Sequence, residues 1–107
     1  KTAKPKIVGG TCKRNSEGKS ELFWKVAGRS KQIDHFVIVG EKMGMSSILG
    51  RVHALSPNNA FRYVDNVLSE NAGDTIYSII PIYGDLSIGE RIKIGSTPSR
   101  KSKRKAI

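Results

Sequence analysis

The chain has 107 residues, of which 37% are hydrophobic and 26% are charged, and this is enough for one small domain. No apolar run reaches the roughly 20 residues of a membrane-spanning helix, and the single cysteine excludes a disulfide scaffold and a thiolate zinc cluster. A formal net charge of +10 indicates a partner that carries negative charge.

The positive charge is concentrated at the two ends of the chain. Residues 1–21 carry six basic and two acidic groups, residues 22–94 carry eight and seven, and residues 95–107 carry five basic groups and no acid. The last segment is rich in Ser and Lys/Arg, a composition that buries too little apolar surface to order itself. We therefore expect a domain over 22–94, between a basic, partly flexible arm at 1–21 and a disordered polybasic tail at 95–107.

Strands dominate the first half of the predicted domain. After a short strand at Ile7–Val8, the pattern of apolar residues predicts strands at 22–28 and 33–39, and a third at 47–54 as the hairpin partner of the second. Within the first of these, Trp24 shares a face with two aliphatic residues, whereas Phe23 and Lys25 share the opposite face. We assign Trp24 to the core and Phe23 to the exposed side of the sheet.

A helix is predicted over 57–72. Ser56 is a suitable N-cap, Pro57 would occupy the first helical position, and Gly73 would end the helix. Apolar residues at i, i+1, i+4, i+7 and i+8 form one stripe that would pack on the sheet: Ala60, Phe61, Val64, Val67 and Leu68.

Two further strands are predicted, at 75–83 and at 88–94. The expected fold class is α+β, with a four- to five-stranded, mostly antiparallel sheet and the 57–72 helix packed on one face. The alternative is a small, partly open barrel of the OB type. Proline donates no hydrogen bond to a ladder, so Pro81 indicates an edge or the end of a strand. Open edges pair with one another, and a homodimer through an edge strand near Pro81 or Ile92 is therefore one option.

The spacing of four small or aliphatic residues within 52–64 resembles that of a known protein family. Val52-x-Ala54-x5-Ala60-x3-Val64 is similar to the strand-to-helix join of the archaeal ribosomal LX protein family, and many unrelated β–α units share the pattern. It covers residues 52–64 and keeps a ribosomal role among the alternatives.

The motifs of common enzyme classes are absent from the sequence. There is no Gly-x4-Gly-Lys-Ser/Thr phosphate loop and no Gly-x-Ser-x-Gly nucleophile motif. Two histidines, His35 and His53, are too few for a zinc site without cysteine ligands. We expect neither an enzyme, nor a metal site, nor a cofactor.

Binding of single-stranded nucleic acid needs cations for phosphates and exposed rings for bases. Alternation places Tyr77 and Tyr83 on the sheet face away from the predicted helix, and we expect them to join Phe23 and Lys25 in an aromatic and basic face. The remaining predicted binding residues are basic groups of the arm and the tail: Lys13, Arg14, Arg100, Lys101, Lys103, Arg104 and Lys105.

The predicted function is non-catalytic binding of single-stranded DNA or RNA, inside the cell and away from membranes. The basic run at 100–105 also fits a nuclear-import signal, so the predicted location is the cytoplasm or the nucleus. One alternative is a structural component of a ribonucleoprotein or nucleoprotein particle. The other is a protein-interaction or regulatory module whose basic tails only localise it.

Overall fold

The computed structural model describes residues 5–28, 32–55, 58–68 and 75–96, with the side chains of residues 67 and 68 excepted. These ranges contain β-strands and no α-helix. The strands are β1 (Lys6–Arg14), β2 (Lys19–Ala27), β3 (Ile33–Lys42), β4 (Met45–His53), β5 (Ala60–Leu68), β6 (Ile76–Tyr83) and β7 (Ile92–Ser96).

The strands form two antiparallel sheets that pack face to face. The three-stranded sheet has the order β1-β2-β5, and the four-stranded sheet has the order β4-β3-β6-β7. Hairpins join β1 to β2, β3 to β4 and β6 to β7, whereas the other connections cross between the sheets. This two-layer arrangement is a β-sandwich.

The core lies between the sheets and is centred on three aromatic rings. Trp24 of β2 and Phe61 of β5 are partners across the strands of one sheet, and their rings stack with centroids 6.0 Å apart. Phe36 of β3 completes the cluster from the other sheet, with its centroid 5.4 Å from that of Trp24 and 4.7 Å from that of Phe61. Aliphatic residues of both sheets surround the rings: Leu22, Val26, Ile33, Ile38 and Ile79.

The predicted 57–72 helix is wrong, because residues 60–68 form strand β5. This segment pairs with β2 over most of its length, which satisfies its main-chain groups through a ladder rather than through helical hydrogen bonds. The helical stripe assigns Phe61 and Val64 to one buried face; in the strand, Phe61 is buried, but Val64 lies on the opposite face and is half-buried. Val67 and Leu68 lie outside the described side chains.

Other parts of the predicted fold also need correction. The α+β class and the partly open OB-type barrel give way to a two-sheet sandwich. The ribosomal resemblance implies a strand followed by a helix, whereas residues 52–53 belong to strand β4 and residues 60–64 to strand β5. The sandwich extends beyond the predicted 22–94 domain, because β1 begins at Lys6 and β7 ends at Ser96.

Of the two positions predicted to lie near an edge strand, one lies inside the sheet and one lies at its edge. Pro81 lies on β6, which is paired with a strand on each side and is therefore not an edge. Ile92 lies on the edge strand β7, but β1 packs beside β7, where the side chain of Ile94 lies against Gly10.

A two-residue turn joins β3 to β4. Lys42 and Met45 are the last paired residues, and both Met43 (φ 54°) and Gly44 (φ 79°) lie in the left-handed region, as a type I′ turn requires. Glycine adopts this conformation without strain, whereas a residue such as methionine is penalised by contacts of its Cβ with the backbone.

The substitution Met43→Asn should therefore stabilise the fold. Asn-Gly is the preferred type I′ sequence, and the Met43 side chain is 91% exposed, so the substitution sacrifices little packing. We expect the free energy of unfolding to rise by about 0.5–1 kcal/mol in urea denaturation. A fall in stability would show that the turn is not type I′ or that the methionine packs against the protein.

Candidate nucleic-acid interface

The outer face of the three-stranded sheet collects basic residues around one aromatic ring. Phe23 lies near the middle of β2, and its cross-strand partners are Thr11 of β1 and Arg62 of β5. Lys25 lies two residues further along the same face of β2. We call this surface the basic face and define it by the residues Lys6, Thr11, Lys13, Glu21, Phe23, Lys25 and Arg62.

The strand period explains why Phe23 is available and its neighbour is not. Successive side chains of a strand point to opposite faces, so Trp24 enters the sandwich core, where it is fully buried, while Phe23 points outward and is half-buried. The predicted separation of Phe23 and Lys25 from Trp24 agrees with this placement. A half-buried ring is held in position by its neighbours and still presents a surface to a ligand.

The charges of the basic face are mostly uncompensated. Arg62 donates from Nε to Oε2 of Glu21 at 3.0 Å, and this ion pair fixes the guanidinium beside the ring. Lys13 and Lys25 are exposed, and no carboxylate of the described ranges lies within ion-pair distance of either ammonium. With Lys6, the face carries four basic groups and one acid. Such a surface attracts a polyanion.

The prediction that Tyr77 is exposed is wrong. Tyr77 is 1% exposed and lies in the core beside Ile79, because the inner face of β6 carries these residues. Its hydroxyl donates to Oδ2 of Asp65 at 2.6 Å, so both its ring and its polar group are engaged inside the sandwich. Tyr77 therefore offers no ring to a base.

Tyr83 and Arg14 also lie away from the basic face. Tyr83 belongs to the four-stranded sheet, is half-buried, and donates its hydroxyl to the carbonyl of Pro5 at 3.3 Å. Arg14 is opposite Ser20, a buried residue, and therefore lies on the inner side of its strand. The five predicted residues of the tail lie outside the described residues: Arg100, Lys101, Lys103, Arg104 and Lys105.

A small polar cluster surrounds the buried carboxylate of Asp65. Burial is the largest cause that raises the pKa of the Tyr77 hydroxyl, and the hydrogen bond to Asp65 raises it further. A hydrogen bond from Ser20 acts in the opposite direction. Burial and then the charge of Asp65 raise the pKa of Tyr63, and the same two causes raise the pKa of the Cys12 thiol to about 11. The cluster keeps protons on these groups at neutral pH, so it has the character of core structure rather than of a reactive site.

Alkylation of Cys12 should consequently be slow in the folded protein. Since the thiolate is the reacting species, a pKa of about 11 instead of 9.0 lowers its population at pH 8 by about a hundredfold. The rate of reaction with iodoacetamide should rise with pH up to about 11, and urea should restore the rate of an ordinary thiol. A native rate equal to that in urea at pH 8 would contradict the burial of Cys12.

Two members of the basic face are not found by the sequence pattern. The pattern puts Arg62 on the surface of the predicted helix, and it puts Lys6 in the flexible arm rather than in a strand. The signal for Arg62 is its position between the aromatic residues Phe61 and Tyr63, an alternation that has the period of a strand. The pairing of Arg62 opposite Phe23 depends on the register between distant strands, and no local pattern reveals it.

Within the described ranges, no three His, Cys, Asp or Glu side chains are grouped so that they could hold a metal ion. No helix in the same part of the chain has the length and apolar character needed to span a membrane. A scan against protein-family models finds no match for the chain, and a search of curated proteins finds no significant relative.

Proposed function

We propose that the chain binds single-stranded nucleic acid through the basic face, without catalysis. The observation that carries the proposal is the position of Phe23, a half-buried outward ring opposite Arg62 and next to Lys25 on the same strand. A base stacks on such a ring, and the lysines neutralise the adjacent phosphates. The nucleic acid would be held by its phosphates and by the faces of its bases, so we expect little sequence preference.

The shape of the surface favours single strands over a duplex. Stacking on Phe23 needs an unpaired base, which a single strand or an RNA loop provides and an intact duplex does not. A protein that reads the major groove inserts a helix or a two-stranded ribbon. The basic face is instead the broad side of a three-stranded sheet.

The polybasic tail supplies a second, sequence-independent contribution in this proposal. Its five basic groups in residues 100–105 would replace counterions on the phosphates beside the sheet. Because β7 ends at Ser96, a truncation that tests the tail should remove residues 97–107 and keep the strand intact. This truncation should lower the salt dependence of binding while leaving the contribution of Phe23 unchanged.

Titration of a polypyrimidine strand and a duplex of equal length separates stacking from charge. Phe23→Leu should weaken single-strand binding by about 1–3 kcal/mol with little change in salt dependence. Lys25→Gln should lower the slope of log K against log salt by about 0.7, because one phosphate is no longer neutralised. Lys93→Gln, an exposed lysine on the other sheet, is the matched control and should bind like the wild type.

Each arm of this titration has an outcome that counts against the proposal. If folded Phe23→Leu binds as tightly as the wild type, the ring is not a stacking platform. If Lys25→Gln and Lys93→Gln have equal effects, binding depends on net charge alone, and the basic face has no special role.

A further inference from the structure

The edge strand β4 presents an open stretch of backbone. It is the first strand in the order β4-β3-β6-β7, so among the described strands only β3 pairs with it in its sheet. Leu49 is an extra residue in this strand, since Gly50 pairs with Ile38 and Ile48 with Val39, and the Leu49 carbonyl accepts a hydrogen bond of 3.0 Å from the Tyr63 hydroxyl. The bulge ends the regular edge, and the stretch before it, 45–48, is exposed along its whole length.

The side chains of this stretch are unusual for an open edge. Proteins generally protect such edges with charges or proline, and the sequence Met-Ser-Ser-Ile over 45–48 contains neither. Met45 is 76% exposed, Ile48 is 63% exposed, and the adjacent Met43 is held with a positive φ at the tip of the hairpin. Methionine is a flexible side chain that recurs on protein-binding surfaces.

A cavity lies beside the inner side of this edge. It has a volume of about 170 Å³, and its lining includes Met45, Ser47, Leu49 and Thr75. When an extended peptide adds to a sheet edge, its successive side chains point alternately to the two faces. One side chain of an added strand would enter this cavity, and the next would pack against Ile48 on the outer face.

Charge distinguishes between the candidate occupants of the edge. Lys42 precedes the open stretch, and Arg51 follows it. Two carboxylates lie close by and are already engaged: Glu41, opposite Ser46, pairs with Arg91 at 3.7 Å, and Asp65, in the lining of the cavity, accepts a hydrogen bond from Tyr77. A second copy of the chain brings another net charge of +10, and the chain's own residues 100–105 are polybasic, so both are repelled. An acidic segment is attracted, and its carboxylates would lie near the two basic flanks.

We propose that the open edge of β4 at residues 45–48 binds an extended segment of a partner protein, with carboxylate side chains on both sides of an apolar centre. The main chain of the partner extends the four-stranded sheet, and its apolar side chains contact Met45, Ile48 and the cavity. This surface belongs to the four-stranded sheet and is separate from the basic face, so the two can be tested independently.

The probe for this proposal is a short, capped peptide with four central valines and glutamates at both ends, titrated against the full chain. Ile48→Ser should weaken its binding about tenfold. Ile88→Ser is the matched control, because Ile88 is 73% exposed but lies outside the β4 edge, and it should leave the affinity unchanged. A peptide with lysine in place of glutamate, and one with N-methylated amides, should both fail to bind.

Several results would overturn the proposal. They are the absence of binding by the parent peptide, equal effects of Ile48→Ser and Ile88→Ser, and undiminished binding of the N-methylated peptide. Sedimentation of the wild type as a dimer that Ile48→Ser dissociates would assign the edge to a second copy instead. Competition by a peptide of residues 97–107 would assign it to the chain's own tail.

Discussion

Replacing Phe61 with alanine should lower the free energy of unfolding by about 3–5 kcal/mol. The ring is 6% exposed and is packed against both Trp24 and Phe36, so its removal leaves a cavity between the two sheets. A domain of this size has a total stability of about 5–15 kcal/mol, so this loss is a large share of the total and should lower the melting temperature strongly. Thermal and urea denaturation followed by Trp24 fluorescence measure the effect.

Val64→Ala is the matched control for this prediction, because it distinguishes a strand from a helix. A helix would place Val64 one turn after Phe61 on the same buried face, and both truncations would then be costly. In β5, Val64 lies on the outer face and is half-buried, so its truncation should cost about 1 kcal/mol or less. Equal losses for the two variants would favour the helix and contradict the sandwich.

Replacing Tyr77 with leucine should also destabilise the fold strongly. The ring is almost fully buried, and its hydroxyl donates to the carboxylate of Asp65, which is itself buried. Tyr77→Phe keeps the ring and removes only this donor, so it should cost about 1–3 kcal/mol. Tyr77→Leu should cost more than Tyr77→Phe, because it removes the aromatic ring as well as the donor.

Urea denaturation of the two Tyr77 variants provides the measurement. A nearly unchanged stability for Tyr77→Leu would place the ring at the surface and would return it to the candidate binding residues. An unchanged stability for Tyr77→Phe alone would mean that the hydrogen bond to Asp65 contributes nothing net. The first result would contradict the packing described for the inner face of β6, and the second would contradict only the contribution of the hydrogen bond.

The strands are easier to predict than the way in which they assemble. Period-two alternation correctly places Trp24 in the core and Phe23 on the other side of β2, because this pattern is local. The segment 60–68 fits both a helical stripe and a strand, and its cross-strand pairing with β2 decides between them. That pairing joins residues far apart in sequence, so the local pattern favours the wrong element.

The wrong helix also inverts the predicted faces of β6. A helix packed on Ile76, Ile80 and Ile82 would leave Tyr77 exposed, and by sequence these isoleucines form the more apolar face. In the sandwich they lie on the outer face, where they are half-buried, while Tyr77 points into the core. Both faces of this strand are rich in residues that suit a sheet, so only the opposing layer determines which one is buried.

The most direct test of the proposed function is a chemical-shift map of the isotopically labelled chain during titration with a polypyrimidine strand. We expect the largest shifts at Phe23 and its neighbours across the strands, Thr11 and Arg62, with smaller changes at Lys13 and Lys25. Shifts confined to the four-stranded sheet, or to the tail residues alone, would contradict a binding surface centred on Phe23.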